Sequence, residues 1–498
     1  MKLKTKWPLT YLHKYLFRFS GLASAIKLKK KLGVTAEVFE TSNDIGGTWK
    51  HSTYPGCASD IQSHLYSLSF EPNPNWSQKF SPQKEILEYM HRVANKYDVL
   101  PQIQFETSVV SATWLEDKKK WQLELSRVSE EKHQIKHFDF IFSGIGSLRV
   151  PHIPKEFESF EGKIIHSALW DQDYDLNNKR VAVIGSGSSS IQIIPSIVPI
   201  VDCLYSFQRT ATWVRPKDQY TYSDFIINVF TYVPLVMLMY RAYIFFSLER
   251  NFNQWGDKNS KRAKRATATV TKQMKEILLS NGRPDLIEKL IPDFAVGCKR
   301  IGYSDDYLQS LCLPNVTVNF SAIKKIEGRT ISTADGQETE IDALILATGY
   351  DVAGFLGKMR VYGRDGVFLN DLWEEQIPKT YKTVTIHGFP NFFMLLGPGS
   401  ILGHSSVVTM IESQVDFGIE LIRHMTNNQI QSMDPTEKAQ ETFSSDLQEK
   451  LKGTVWTTGC KSWYMNKRGD IQALWPQTVM KFINMFKNTN FESDFIKV

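Results

Sequence analysis

The sequence predicts an α/β chain organised by two βαβ units, and three observations carry that prediction. An apolar run at 181–184 enters Gly185-Ser-Gly187, then a helix-forming run from Ile191 and a second apolar run at Cys203–Phe207. A related pattern stands near the N-terminus, where Ser20-Gly21 opens a helix-forming run that closes at Gly33 before an apolar run at 34–39. The chain has 498 residues, too many for one ordinary domain and enough for two or three.

The second unit is the more complete. Glycines at its turn let the backbone approach a pyrophosphate, and the helix start directs N–H groups and the positive dipole end at it. Gly185, Gly187, Ser188, Ser189 and Ser190 are therefore candidate cofactor-binding residues. Ser190 stands where a third glycine is usual and is still small enough for close helix–strand packing. An NAD site would place an acid after the second strand, but the chain reads Phe207-Gln-Arg209-Thr210. A cation there can pair with a 2′-phosphate, so Arg209 and Thr210 point to NADPH.

The first unit is incomplete. Gly21 ends its loop, and Glu40 lies about 20 residues on, where an acid meets the adenosine ribose. The two earlier loop glycines should fall at Leu16 and Arg18, and 9–19 carries His13, Lys14 and Arg18 where an apolar strand is expected. A Cβ at the tight turn and an arginine against the pyrophosphate both obstruct the usual pose, so weak dinucleotide binding is expected. Two explanations stand: residues before about 19 are a wrong or alternative start joined to an intact chain, or the chain is a cofactor-weakened relative.

Composition bounds the partners. An apolar fraction of 42% and a charged fraction of 22% suit a chain with a sizeable core, and the net charge of +6 is scattered, which argues against a nucleic-acid partner. The five cysteines form no C-x-x-C pair and no metal-ligand cluster, so free thiols in a reducing compartment and no metal are expected. The N-terminus is basic but lacks the apolar core of a secretory signal, which completes a cytoplasmic reading. The most apolar segment, 225–246, stops short of the roughly 20 uncharged residues needed to span a bilayer and contains Asn228, Pro234 and Arg241. It reads as a buried helical insertion. The alternative is peripheral membrane contact through 225–247, with Lys261, Arg262, Lys264 and Arg265 meeting anionic headgroups.

Three motifs carry chemistry. Phe160-Glu-Gly162-Lys-Ile-Ile-His166-Ser-Ala-Leu-Trp170-Asp171 fits F-x-G-x-x-x-H-x-x-x-W-[PD]. Gly46-Gly47-Thr48-Trp49 through Tyr54-Pro55-Gly56 to Asp60 fits G-G-x-W-x-x-x-x-[FY]-P-G-x-x-x-D, followed by Ser63-His-Leu-Tyr66. The third is Cys298-Lys299-Arg300. Together they resemble the Baeyer–Villiger branch of the flavin-containing monooxygenases, over about 19–490.

That resemblance implies two Rossmann-like domains. The FAD domain would be discontinuous, 1–150 and 333–498, with the NADP domain, 151–332, inserted in it and carrying a helical insertion at about 222–295. FAD would meet Gly47, Thr48, Trp49, Asp60 and Tyr66. Arg300 would reach the flavin, Asp60 would hold Arg300, and Lys299 would meet the NADP 2′-phosphate. The segment 341–350 would close the flavin domain, 388–407 would contact the isoalloxazine, and 455–464 would form a substrate-side loop. His166 and Trp170, in the interdomain link, would couple domain movement to NADPH. The implied reaction is oxygen insertion from O₂ next to a ketone carbonyl, through a C4a-peroxyflavin, giving an ester or lactone. The alternatives are N- or S-oxygenation and, in another class, a non-catalytic nucleotide-binding relative.

Overall fold

The computed structural model describes residues 11–14, 18–127, 133–146, 150–351, 355–466 and 468–498. Two five-stranded parallel sheets form its centre. The first runs Phe392–Met394, Phe140–Ser143, Tyr11–Lys14, Glu37–Phe39, Ile103–Gln104. The second runs Val316–Asn319, Cys203–Phe207, Arg180–Ile184, Ala343–Leu346, Lys163–His166. Strands such as Phe140–Ser143 and Ala343–Leu346 are buried at every position, which is why they read as continuous apolar runs.

The first correction concerns the N-terminus. Residues 9–19 lack an apolar run, yet Tyr11–Lys14 is the middle strand of the first sheet, pairing Leu12 with Glu37 on one side and with Ile141 on the other. Its two neighbours, Glu37–Phe39 and Phe140–Ser143, present backbone donors and acceptors across an open slot, and that context overrides a weak strand propensity. Leu16 lies outside the described residues.

A helix, Phe19–Leu32, follows, buried from Phe19 to Leu28 and closed by Gly33 in the left-handed region at φ 73°. It packs on the helix Val407–Asn428, where Lys27 Nζ lies 2.9 Å from Asp416 Oδ2 and Lys31 Nζ 2.8 Å from Asp416 Oδ1. The second correction concerns Ala343–Leu346, expected in the first unit. It pairs with Arg180–Ile184 in the second sheet, so the chain returns to the first unit after that strand and not at 333.

The helical insertion comprises Asp224–Tyr232, Pro234–Asn251 and Lys261–Ser280. Burial was expected for 225–246, but only its inner side is buried, through Phe230, Met237 and Ile244. Among the described residues no single helix is long and apolar enough to cross a membrane.

Candidate active site

The two crevices lie at the carboxyl ends of the parallel strands, as ligand sites do in open α/β sheets. In the second unit, Gly185 has φ 119° and a Cβ there would stand 2.5 Å from the Ala347 carbonyl oxygen, so only glycine fits this turn. Gly187 caps the helix Ser188–Ile197, and its surroundings are open. The N–H groups of Ser188, Ser189 and Ser190 occupy the first helical turn, where no intrahelical acceptor exists. Ser190 is expected among the cofactor contacts, but its side chain is fully buried and packs toward Gly185. Only its backbone remains available to a phosphate.

Past the strand Cys203–Phe207, Arg209 and Thr210 are exposed at the crevice mouth. Lys299 Nζ donates to Thr210 Oγ1 at 3.1 Å and lies 5.2 Å from the Phe294 ring centre. Burial, and then the charge of Arg209, hold the Lys299 ammonium below its ordinary range, against the pull of Asp293. Two cations drawn this close suit a multiply charged anion such as a 2′-phosphate.

In the first unit, Glu40 is fully buried just after Glu37–Phe39 and its Oε1 accepts from the Ser42 N–H at 2.7 Å. Gly21 is buried in the first turn of its helix, and Arg18 is that helix's N-cap residue. The Arg18 side chain runs across Gly47, whose φ is 54°, and its Nη1 is 2.9 Å from where a Cβ on Gly146 would stand. The groove that these glycines open is thus entered by a guanidinium. Thr48 starts a short helix, Thr48–His51, on Gly47. Trp49 Nε1 donates to the Tyr66 hydroxyl at 3.2 Å, with the rings edge to face. Burial pushes the Tyr66 phenol up to about 12, so it stays protonated.

The units meet at Asp60 and Arg300. The loop 53–60 lies on the second unit's helix: Tyr54 donates to Gln192 Oε1 at 2.9 Å, and Gln192 Nε2 donates to the Ala58 carbonyl at 3.0 Å. A Cβ on Gly56 would collide with that helix at Ser196 and Gln192. The loop delivers Asp60 to Arg300, whose Nε donates to Asp60 Oδ2 at 2.6 Å and whose Nη1 donates to the Leu402 carbonyl at 3.3 Å. Burial alone would raise the Asp60 carboxyl, but the Arg300 guanidinium holds it below the ordinary carboxylate range. Burial likewise disfavours the charged Arg300, and the carboxylate outweighs it, raising its pKa. The pair is ionised and fixed. His166 sits at the end of Lys163–His166, buried and held neutral by burial, with Nδ1 accepting from the Ala168 N–H at 3.0 Å. Trp170 is half-buried and packs against the main core cluster.

Several partners are invisible in the motifs. The Leu402 carbonyl, Gln192 and the Arg18 side chain are brought in by folding alone. So is Glu249, which accepts from the Val479 and Met480 N–H groups at 2.9 Å and lies 3.4 Å from His404. The cysteine expectation needs a third correction: Cys298 and Cys460 are joined in a disulfide across 162 residues, while Cys57, Cys203 and Cys312 are free. The bridge ties the segment before Lys299-Arg300 to the loop carrying Trp463 and Tyr464, and it removes the cysteine argument for a reducing compartment. Among the described residues no group of side chains is arranged to hold a metal.

The residues fit two dinucleotides. Positive-φ glycines line each crevice, Gly185 in the second and Gly47 and Gly146 in the first; the buried carboxylate of Glu40 follows the second strand of the first unit, and Arg209 with Lys299 stands past the second strand of the other. Fold and site together define a two-nucleotide flavoprotein oxygenase. The sequence matches the family described as flavin-binding monooxygenase-like over residues 18–454. It is 37% identical over 473 residues to a Baeyer–Villiger monooxygenase of Pseudomonas aeruginosa, covering 93% of this chain and 87% of that one. The fold is similar to the closed crystal structure of cyclohexanone monooxygenase, with a TM-score of 0.86, 25% identity and coverage of 98% and 99%. It is also similar to OTEMO in complex with FAD and NADP, with a TM-score of 0.85, 25% identity and coverage of 99% of each chain. The chain belongs to the flavin-binding monooxygenase-like family, in its Baeyer–Villiger branch, and is a flavin-dependent NADPH monooxygenase.

Proposed function

We propose that this chain inserts oxygen next to the carbonyl of a small-molecule ketone, with Arg300 as the catalytic cation and Asp60 as the residue that positions it. The observation that carries this reading is the Asp60–Arg300 pair, 2.6 Å apart, fixed between the two crevices and steadied by the Leu402 carbonyl. When bound, FAD reduced by NADPH supplies, with O₂, the oxygen atom that is transferred. The protein's part is binding, orientation and charge. Glu40 takes the adenosine ribose of FAD, and Trp49, held by Tyr66, walls the flavin side. Arg209, Thr210 and Lys299 take the 2′-phosphate of NADPH, and the first-turn N–H groups of Ser188, Ser189 and Ser190 take its pyrophosphate.

Arg300 spends two of its five N–H donors on Asp60 and Leu402. Its remaining donors stabilise the negative charge that develops on the carbonyl oxygen as it is attacked, an effect strongest in a dry, preorganised site. Asp60 stays a carboxylate and keeps the guanidinium from turning away. The test is NADPH oxidation by the purified holoenzyme with and without a panel of ketones, with the products identified. Ketone-dependent ester or lactone formation supports the reading. NADPH oxidation that no ketone stimulates, or oxygenation at nitrogen or sulfur alone, overturns it.

A further inference from the structure

The helix pair Asp224–Tyr232 and Pro234–Asn251 is the one bent apolar pair of its kind among the described residues. Its side chains Phe225, Tyr232, Leu235, Met239, Tyr243 and Phe246 are 60–80% exposed. Val233, Val236 and Leu238 on the same pair are exposed as well, whereas most of the other exposed large apolar side chains among the described residues come singly along the chain. The second helix is apolar all round: its inner side buries Met237 and Ile244, and its outer side carries Leu235, Leu238, Met239, Ala242, Tyr243 and Phe246. A helix of that kind belongs inside a core or a bilayer, and here its outer half is exposed among the described residues.

Its one mid-helix charge does not reach the outer face. Arg241 turns inward, donating through Nη2 to the Ser67 carbonyl at 2.9 Å and through Nη1 to Ser67 Oγ at 2.7 Å. The run from Phe225 to Tyr240 contains no charged residue. Pro234 breaks the segment into two helices bent by 106°; neither is long and apolar enough to cross a membrane by itself, while the pair together has the length and composition to enter one.

We propose that this ridge docks the enzyme on a lipid bilayer, as a monotopic anchor whose polar side is the protein body itself. The rim supports a bilayer over a second copy of the chain. At the far end of the ridge Arg250 is exposed, and the Met480 N–H bonded to Glu249 brings exposed Met480 and Lys481 alongside it. A cationic edge beside an apolar ridge suits lipid headgroups over acyl chains, whereas two such edges meeting across a two-fold axis repel. Tyr232 and Tyr243 add exposed amphipathic rings to the ridge, and exposed Tyr220 hydrogen-bonds Tyr240 on it, the side-chain type favoured at a headgroup interface.

The ridge also lies close to the site. Ile244 packs on Ile61 and Leu65, and Tyr66, which holds Trp49, borders that cluster. The inner side of the ridge thus packs directly on the segment 61–66, which follows Asp60 in the chain. Resting on the ketone-oxygenase reading, this places the enzyme to draw apolar ketones that partition into membranes.

The test is flotation of the full-length holoenzyme with phosphatidylcholine vesicles, with and without phosphatidylserine, beside its molar mass in solution. The wild type is expected to float, more strongly with phosphatidylserine at low salt. L235S/M239S/F246S should lower the vesicle-bound to free ratio by more than tenfold while keeping its thermal transition and flavin absorbance. F225S/Y243S, on both helices, repeats the measurement if the triple variant fails to fold. Failure of the wild type to float with either lipid overturns the proposal, as does equal flotation of folded variants. A dimer that the variants dissociate, without vesicle binding, overturns it in favour of a second copy. Flotation does not depend on turnover, so this result and the ketone assay fail separately.

Discussion

The two nucleotide units share a frame, and the difference that bears most on their crevices is the Arg18 side chain. In the second, the turn is glycine at Gly185 and Gly187, and nothing intrudes on the crevice at Gly187. In the first, the helix begins behind Arg18, whose side chain lies across Gly47 and reaches Gly146. Yet the first frame is no looser: its middle strand pairs on both sides, and its helix is buried over ten residues and tied to Asp416 by Lys27 and Lys31. The fold of a βαβ unit is therefore held by its core and ladders. The loop glycines serve the ligand, so they can be lost without losing the frame.

The comparison can be broken at the junction first, where the largest effect is expected. Arg300→Ala should leave reduction of the flavin by NADPH measurable while lowering oxygenated product by about 10²–10³-fold, the scale of losing a preorganised charge partner. Undiminished ester formation in a single-turnover assay would refute the role. Its partner sets the acid limit. The Asp60 carboxyl titrates below its unfolded value of about 3.9, so the pair's contribution is complete above that pH and is lost as pH falls through the lower folded value. Asp60→Asn should abolish that acid-side dependence.

A smaller effect isolates the second crevice. Arg209→Ala with Lys299→Ala should raise KM for NADPH by roughly ten- to a hundredfold and barely change KM for NADH, which lacks the 2′-phosphate. Equal changes for both cofactors would remove the cations from that phosphate. Arg18→Gly then addresses the first crevice. Clearing the guanidinium from the glycine groove should tighten FAD, measured as the dissociation constant of flavin from reconstituted apoprotein, by about tenfold. Replacing residues up to Arg18 with an apolar strand and Gly-x-Gly should bring full flavin occupancy. If the unmodified chain already retains stoichiometric FAD and Arg18→Gly weakens it, the guanidinium pairs with the pyrophosphate.

What the sequence made legible was local. Gly185, Gly47, Trp49, Glu40 and the Lys299-Arg300 pair lie in fixed-spacing patterns because each is set by a single turn or strand end. What it hid depends on distant segments. Cys298 and Cys460 stand 162 residues apart, and spacing carries no pairing information at that range. The Leu402 carbonyl is a backbone group, which any residue type would supply. The strand Tyr11–Lys14 is recruited by its neighbours' backbone, and Ala343–Leu346 reads as a buried strand without saying which sheet it joins. The apolar run at 225–246 fits both a buried insertion and a membrane-facing one, because such a run reports composition and not what covers it.

The smallest expected effect tests whether small size alone matters at the third loop position. Gly21 fills it in the first unit and Ser190 in the second. Ser190 is fully buried, and its hydroxyl has no hydrogen-bond partner among the described residues. A buried hydroxyl without a partner has lost its water and gained nothing in return. Ser190→Ala keeps the Cβ, removes that oxygen and leaves the backbone N–H in place. KM for NADPH should stay within about twofold, and the thermal midpoint should hold or rise by a few degrees, the scale of roughly 1 kcal/mol in a chain of this size. A large rise in KM would show that the hydroxyl reaches the cofactor. Ser190→Val sharpens the point: added bulk against Gly185 should lower the midpoint while Ala does not, which separates packing from hydrogen bonding at one position.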